Sequence, residues 1–301
     1  MQLRHVLAVV DFSCDAGTHA AWRAAHLAWA HGAELCLWTQ VELADGSPSS
    51  RFGATAPPAR ARADLLHLAG RILDARGIRP AVVVGVGADG RDTFRACARR
   101  ADLVVLPEHT KTAQRTVTEH GVPVLMARLQ PASAHRSAMV IHQPGHASLA
   151  SLLGSVQWLC KPEGVRAFSA LDRRPMRHLR ASDASVGTIQ ALSQLAHHRA
   201  HEALQAELIR AGLRRDQGTV LDNTSAARLA QEQARSGASV LVVGQRQRPA
   251  WLELLWPGLA RQLSALASCD VLIVPDQLST AKEARWSLST GRRGAALSEE
   301  G

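Results

Sequence analysis

The apolar segments of this chain recur in the same order in its two halves, and this repeat constrains the fold more than any other feature. Each half alternates short runs rich in β-branched residues with longer amphipathic stretches. The short runs are of strand length and apolar throughout, which is typical of strands buried on both faces of a parallel sheet. Strands that alternate with helices predict right-handed β-α-β units, and therefore a doubly wound α/β fold.

The positions of the predicted elements follow from this pattern. In the first half we predict strands at 5–10, 34–41, 80–86, 102–107 and 122–128, and helices at about 17–31, 59–76 and 91–100. In the second half we predict strands at 137–142, 165–171, 218–222, 239–243 and 270–275, and helices at about 147–159, 186–212, 224–236 and within 251–267. The polar segment 45–58 is expected to be a loop.

The repeat also predicts the domain organisation. We expect a first domain over 1–130, a short linker, and a second domain over 136–276. The segment 277–301 has lost the apolar periodicity, so we expect a mobile C-terminal tail.

The charge of the chain raises the question of nucleic-acid binding. The chain carries 35 Lys and Arg against 26 Asp and Glu, a formal net charge of +9. A nucleic-acid surface would concentrate these charges and interleave them with aromatic side chains. The arginines are instead dispersed along the sequence, so we interpret them as solvated helix faces and keep a basic nucleic-acid-associated protein as an alternative.

Cysteine usage and hydropathy favour a cytoplasmic protein. The five cysteines contain no C-x-x-C pair, which fits a reducing compartment. The apolar run near the start reaches Asp11 after only a strand length, which is too short for a signal peptide or a membrane span. We therefore expect no membrane span and a cytoplasmic location.

Two features resemble the universal stress protein family. One is Asp11, which closes the first strand in "VLAVVDFS"; the other is the order strand, Gly-led loop, helix and "SCDVLIVP" at the end of the second half. The resemblance covers about residues 4–276, and the repeat looks like the tandem members of the E type. It implies two adenine nucleotide α-hydrolase-like, Rossmann-like domains, each a five-stranded parallel sheet flanked by helices, paired through their last strands.

The resemblance also implies a nucleotide site, of which the first half keeps only a part. Nucleotide-binding members hold ATP with an Asp at the end of the first strand and a G-x2-G-x9-G-[S/T] loop after the fourth. Asp11 matches the first element. The segment that follows Pro107 is shorter than its counterpart in the second half by roughly ten residues, and it has no glycine before Gly121. A loop this short is not expected to surround a triphosphate.

The second half has a loop of full length with different residues. Gly244 matches the first glycine, whereas Gln247 and Pro257 stand at the other two and Gly258 at the hydroxyl position. Proline has no N–H to offer a phosphate, and a glycine has no hydroxyl. Gln143 stands where the family has its first-strand Asp. We therefore predict that ATP binding is lost or weak and that no cofactor is bound.

Three interpretations of the site stay open. The first is a non-catalytic protein whose Trp251 and Trp256 border a cleft for a partner protein or a small apolar ligand. The second is an ATP-binding stress switch. Its phosphate contacts would be the remnants of the site: Asp11, Gly244, Arg246, Gln247, Arg248 and Gly258. The third is the nucleic-acid-associated protein described above.

Catalytic and metal sites are not expected. The chain has no G-x-S-x-G element, so nothing indicates a hydrolase nucleophile. His197 and His201 lie four residues apart, which suits two zinc ligands on one helix face, but a third ligand is lacking. We interpret the two histidines as part of a solvated helix face.

Overall fold

The computed structural model describes residues 2–13, 15–41, 53–54, 57–108, 116, 119–128, 135–143, 148–171, 185–222, 225–245 and 258–276. These residues form two compact units. Unit 1 holds the described residues up to 128 together with 269–276, and unit 2 holds those within 135–268.

Unit 1 is a mostly parallel sheet flanked by helices. Its strands are β1 (His5–Val9), β2 (Glu34–Val41), β3 (Gly53–Ala54), β4 (Ala81–Val86), β5 (Leu103–Pro107), β6 (Val124–Ala127) and β11 (Asp270–Pro275). The order across the sheet is β4-β2-β1-β5-β6-β11, and β3 pairs with the last two residues of β2. Among the described strands of unit 1, β11 alone is antiparallel, in the register Val271↔Met126. The helices are α1 (Asp15–His31), α2 (Pro58–Arg76) and α3 (Asp89–Arg100).

The described residues of unit 2 form four parallel strands in the order β10-β7-β8-β9. They are β7 (Ala138–His142), β8 (Val165–Ala170), β9 (Gly218–Leu221) and β10 (Val240–Gln245). The helices are α4 (Leu149–Val156), α5 (Val186–Arg210), α6 (Ala226–Ser236) and α7 (Leu259–Leu266). Among the described residues, no helix combines the length and the apolarity needed to cross a bilayer.

Side-chain caps explain where three helices of unit 2 begin. Ser148, Ser185 and Ser225 each accept a backbone N–H three residues ahead, at the starts of α4, α5 and α6. A serine at this position satisfies one of the donors that a helix N-terminus leaves unpaired. The helix starts are therefore encoded locally in the sequence.

The tryptophans of α1 pack against arginines of α2. The Arg71 guanidinium lies 5.7 Å from the centroid of the Trp22 ring, and that of Arg76 lies 5.4 Å from the Trp29 ring. These cation–π contacts join the two helices on one side of the sheet. Part of the positive charge of the chain is thus used in packing within unit 1.

The predicted α/β fold is confirmed, and three differences in its elements bear on the candidate site. A two-residue strand, β3, lies in the segment that was expected to be a loop. Strand β10 extends beyond the apolar run through Gly244 and Gln245, both of which are buried. Strand β11 lies within the predicted second half of the sequence but groups with unit 1, because it pairs with β6 and its Asp270 is bonded to residues of unit 1. In the part of unit 2 that the structure describes there are therefore four strands, where the resemblance implies five.

Candidate functional site

The carboxyl edge of unit 1 holds Asp11 in a fixed position. Asp11 lies two residues beyond the end of β1 and is half-buried, and its Oδ1 accepts the backbone N–H of Ser13 at 2.9 Å. The first turn of α1 passes directly over this backbone. A Cβ added to Gly17 would lie 1.9 Å from the carbonyl oxygen of Asp11, so only a glycine fits there.

Ion pairs occupy the same edge further along the sheet. The Arg128 guanidinium binds the Glu108 carboxylate, joining the residues that follow β6 and β5. Asp270, at the start of β11, binds Arg23 of α1 through Oδ2 at 2.9 Å and accepts the N–H of Arg128 through Oδ1 at 2.8 Å. Glu108 is the first residue after β5. Its ion pair with Arg128 thus lies at the position where the resemblance implies a phosphate-binding loop.

His19 lies next to this group of charges. Burial and the nearby Arg23 cation lower its pKa from the ordinary value of 6.5, and the Asp270 carboxylate and a hydrogen bond with the Arg128 backbone act in the opposite direction. The neutral imidazole is thus favoured. The group formed by His19, Arg23, Glu108, Arg128 and Asp270 is called the charged cluster below.

In unit 2, two of the predicted site residues lie at the ends of elements. Gly244 is buried within β10, and Gly258 caps the N-terminus of α7 in an extended conformation, with no side-chain hydrogen bond to the cap. A serine or threonine at this cap would supply a hydroxyl beside the helix N-terminus, as phosphate sites require. Gly258 does not supply one.

The other predicted residues of this loop lie outside the described residues. They are Arg246, Gln247, Arg248, Trp251, Pro257 and Trp256. Their roles therefore remain predictions.

Unit 2 contains a cavity that the sequence analysis missed. It measures about 490 Å³ and lies at the carboxyl ends of β7 and β8, between the start of α4 and one face of α5. Its size is within the range of about 300–1,000 Å³ that small-molecule sites occupy. The carboxyl edge of a parallel sheet is also the usual position of ligand sites in α/β folds.

The wall of the cavity is mainly apolar. Leu149, Leu171, Ala196, Ala200 and Leu204 form much of it. A signal for this site was present in the sequence, because alanines and leucines recur at helical spacing along α5. Small side chains on one helix face leave room between that helix and the sheet.

The polar side chains of the cavity already have partners. His142 Nδ1 lies 3.1 Å from Ser169 Oγ, across paired positions of β7 and β8. Ser148 caps α4, and Glu207 forms an ion pair with Arg210 at 2.8 Å. A ligand would thus meet an apolar surface with a few polar groups at its margin, whose hydrogen bonds are largely satisfied by the protein.

Two histidines of α5 have polar partners on the same helix. His201 accepts a hydrogen bond from the Gln205 amide at 2.7 Å, and His198 lies 3.2 Å from Glu202. Within the described ranges, no three His, Cys, Asp or Glu side chains come together in a group that could hold a metal ion.

Family comparison gives an independent result for the second half of the chain. Residues 145–275 match the universal stress protein family. The matched residues include α4 to α7, the apolar wall of the cavity on α5, and both Gly244 and Gly258. It also includes β11, which packs in unit 1. No curated protein sequence matches the chain.

Solved structures share the fold along most of the chain. A putative universal stress protein from Pseudomonas aeruginosa UCBPP-PA14 aligns with a TM-score of 0.60 and 16% identity, covering 91% of this chain and 94% of that one. A universal stress protein from Archaeoglobus fulgidus DSM 4304 aligns with a TM-score of 0.61 and 11% identity, covering 92% and 100%. A functionally unknown protein from Pseudomonas aeruginosa PAO1 aligns with a TM-score of 0.61 and 16% identity, covering 91% of this chain and 93% of that one. At these identities the likeness establishes the fold alone.

Proposed function

We propose that this protein is a non-catalytic tandem universal stress protein of the E type, acting in the cytoplasmic stress response by binding a small apolar ligand in unit 2, with ATP binding lost or weak. The family match over residues 145–275 supports the role in stress response. The observation that carries the ligand class is the cavity of about 490 Å³ with its wall of alanine and leucine side chains. Apolar walls with few polar groups favour apolar ligands.

The tandem arrangement is part of this proposal. The last strand of the first half, β6, pairs antiparallel with β11, the last strand of the second half. This pairing supports an arrangement in which the two halves contact each other within one chain. A partner protein is the other kind of ligand that such a protein could bind.

Two features support the loss of ATP binding. Gly258 offers no hydroxyl at the start of α7, and in unit 1 the charges of Glu108 and Arg128 neutralise each other next to the end of β5. Equilibrium dialysis with labelled ATP at low salt tests this point, and we expect no saturable binding. Binding in the micromolar range that Gly244→Asp abolishes would contradict the proposal and favour the ATP-binding switch.

The ligand site is tested with Nile red, an uncharged apolar dye whose fluorescence rises in apolar surroundings. Ala200→Trp places an indole in the cavity, and Ala206→Trp places the same side chain on an exposed part of α5. We expect Ala200→Trp to weaken Nile red binding at least tenfold, about 1.4 kcal/mol, and Ala206→Trp to leave it unchanged.

The proposal fails if Nile red binds both tryptophan variants as tightly as it binds the original protein. Thermal unfolding of both variants provides the control for folding. Native mass spectrometry of protein purified from cells adds a direct observation, because a retained small molecule raises the mass of the original protein but not that of Ala200→Trp.

A further inference from the structure

Two cysteines of unit 1 lie side by side between a strand and the helix packed on it. Cys36 is in β2 and Cys97 is in α3, and both are half-buried. The interaction with the other thiol is the largest influence on the pKa of each of these two cysteines. The two other described cysteines differ, since Cys160 and Cys269 are buried.

A contact between two nearby aromatic rings is a second observation that brings the two cysteines to the same part of the interface. The rings of Trp38 and Phe94 contact each other, with centroids 5.0 Å apart. Cys36 is two residues before Trp38 and therefore on the same face of β2. Cys97 is three residues after Phe94 and therefore on the same face of α3.

The directions of the two elements also agree with this placement. Helix α3 connects the parallel strands β4 and β5, so it runs opposite to β2. The step from Trp38 back to Cys36 covers about 6.6 Å along the strand. The step from Phe94 on to Cys97 covers about 4.5 Å along the helix in the same direction. Both steps lead to the same place on the interface between β2 and α3.

Two glycines allow α3 to lie close to the sheet near its start. A Cβ added to Gly85 of β4 would lie 2.8 Å from the Cα of Gly90 in α3. Such a separation is tolerated only where Gly85 has no side chain, and a Cβ added to Gly90 would also lie close to the Gln40 side chain, at 3.3 Å. The close packing of the helix on the strands shortens the span that a link between β2 and α3 must cross.

The two thiols differ in acidity. The hydrogen bond from Cys36 lowers the pKa of Cys97, burial opposes this effect, and the Arg100 cation adds to it. The same hydrogen bond and burial raise the pKa of Cys36. Cys97 is therefore the more acidic thiol of the pair, whereas burial raises the pKa of Cys160 to about 12.

We propose that Cys36 and Cys97 form an oxidation site, at which a hydroperoxide converts the thiol pair into an intramolecular disulfide that links β2 to α3. The Cys97 thiolate attacks one oxygen of the hydroperoxide. The O–O bond breaks, a sulfenic acid forms on Cys97, and the other oxygen leaves as an alkoxide or hydroxide that takes a proton from water. The sulfur of Cys36 then attacks the sulfur of Cys97, and its proton leaves with the sulfenic hydroxyl as water.

The electrons balance over the two steps. Each sulfur loses one electron, and the two oxygens of the hydroperoxide gain one each. With hydrogen peroxide the products are one disulfide and two waters. A disulfide joins two Cβ atoms about 3.5–4.5 Å apart through an S–S bond of about 2.05 Å, a span that suits two side chains packed against each other across one interface. A thiol supplied from outside reverses the reaction by exchange.

The test uses the reduced full-length chain and hydrogen peroxide. We expect the intact mass to fall by two hydrogens, the chain to remain monomeric on a non-reducing gel, and a peptide map to show Cys36 linked to Cys97. Dithiothreitol should restore the original mass. A link that involves Cys14, Cys160 or Cys269, a dimer linked between chains, or two unmodified thiols would overturn the proposal.

Single variants separate the roles of the two thiols. In Cys36→Ser the disulfide should be lost completely, and dimedone should trap a sulfenic acid on Cys97. In Cys97→Ser, Cys36 should stay unmodified at the same peroxide concentration. Cys160→Ala is the matched control and should form the disulfide like the original chain. Equal dimedone labelling of Cys36 and Cys97 in the two serine variants would contradict the assigned order of attack, and circular dichroism checks that each variant is folded.

Discussion

Removing the charge of Asp270 should destabilise unit 1 strongly. Its carboxylate is fully buried and binds Arg23, whose side chain is only 2% exposed. Asp270→Asn keeps the shape of the side chain and an oxygen that can accept the Arg128 N–H, so the change removes little besides the charge. The Arg23 guanidinium would then be a buried cation without its carboxylate.

The expected magnitude follows from two independent considerations. Two unit charges about 4 Å apart attract by about 4 kcal/mol at an effective dielectric constant of about 20. Measured losses on removing one partner of a buried pair are about 3–5 kcal/mol. Because the free energy of unfolding of a domain is about 5–15 kcal/mol, we expect the variant to lose a large part of its stability.

The assay is urea unfolding followed by both tryptophan fluorescence and circular dichroism, since two probes reveal whether more than one transition occurs. Asp92→Asn is the matched control, because its ion pair with Arg95 is exposed and should contribute less than about 1 kcal/mol.

Arg23→Met combined with Asp270→Asn should cost less free energy of unfolding than the sum of the two single changes. A loss below about 1 kcal/mol in Asp270→Asn, or strict additivity in the double variant, would refute the reasoning.

Two further predictions concern the carboxyl edge of unit 1. Gly17→Ala should lower the free energy of unfolding by about 1–3 kcal/mol, because its Cβ would overlap the backbone of Asp11. Gly70→Ala is the control and should raise the free energy of unfolding by about 0.5–1 kcal/mol, since nothing lies within 4 Å of its Cβ. Urea unfolding measures both values, and equal effects would contradict the close contact at Gly17. Because His19 has a folded pKa below 6.5, the folded state binds fewer protons than the unfolded state in that range, so this group favours folding above about pH 6.5 and its contribution is lost as the pH falls through the folded pKa. His19→Gln should therefore reduce the fall in the urea midpoint between about pH 7 and pH 5, and an unchanged fall would show that other groups cause it.

The sequence predicted the strands best where apolar runs have sharp ends. Strands β2 and β11 lie at the predicted residues, 34–41 and 270–275, because each run is flanked by polar residues or glycine. Strand β10 was predicted too short, because the apolar run ends at Val243 and the side-chain pattern gives no signal for a strand that continues through Gly244 and Gln245. Gly244 and Gln245 are buried by neighbouring elements of the fold, which the local sequence pattern does not indicate.

The candidate site was less accessible to prediction than the fold. Motif spacing drew attention to the loop that begins near Gly244, whereas the cavity is formed by residues of β7, β8, α4 and α5 that share no motif. The pairing of His142 with Ser169 depends on the register of two parallel strands. Sequence periodicity indicates which face of a strand is buried, but it does not give the register between strands that are far apart in the chain.

The charged cluster shows why neither half of the sequence specifies its own core. Arg23 belongs to the first half and is buried against the sheet, yet its carboxylate partner is Asp270, near the end of the second half. Within either half alone, one of these side chains would be a buried charge without its ion-pair partner, which costs several kcal/mol. The antiparallel register of β11 on β6 brings Asp270 next to Arg128, whose N–H it also accepts. The ion pair between Asp270 and Arg23 of the first half therefore helps to hold the last strand of the repeat in unit 1, and the packing of that strand follows from electrostatics as well as from its apolar residues.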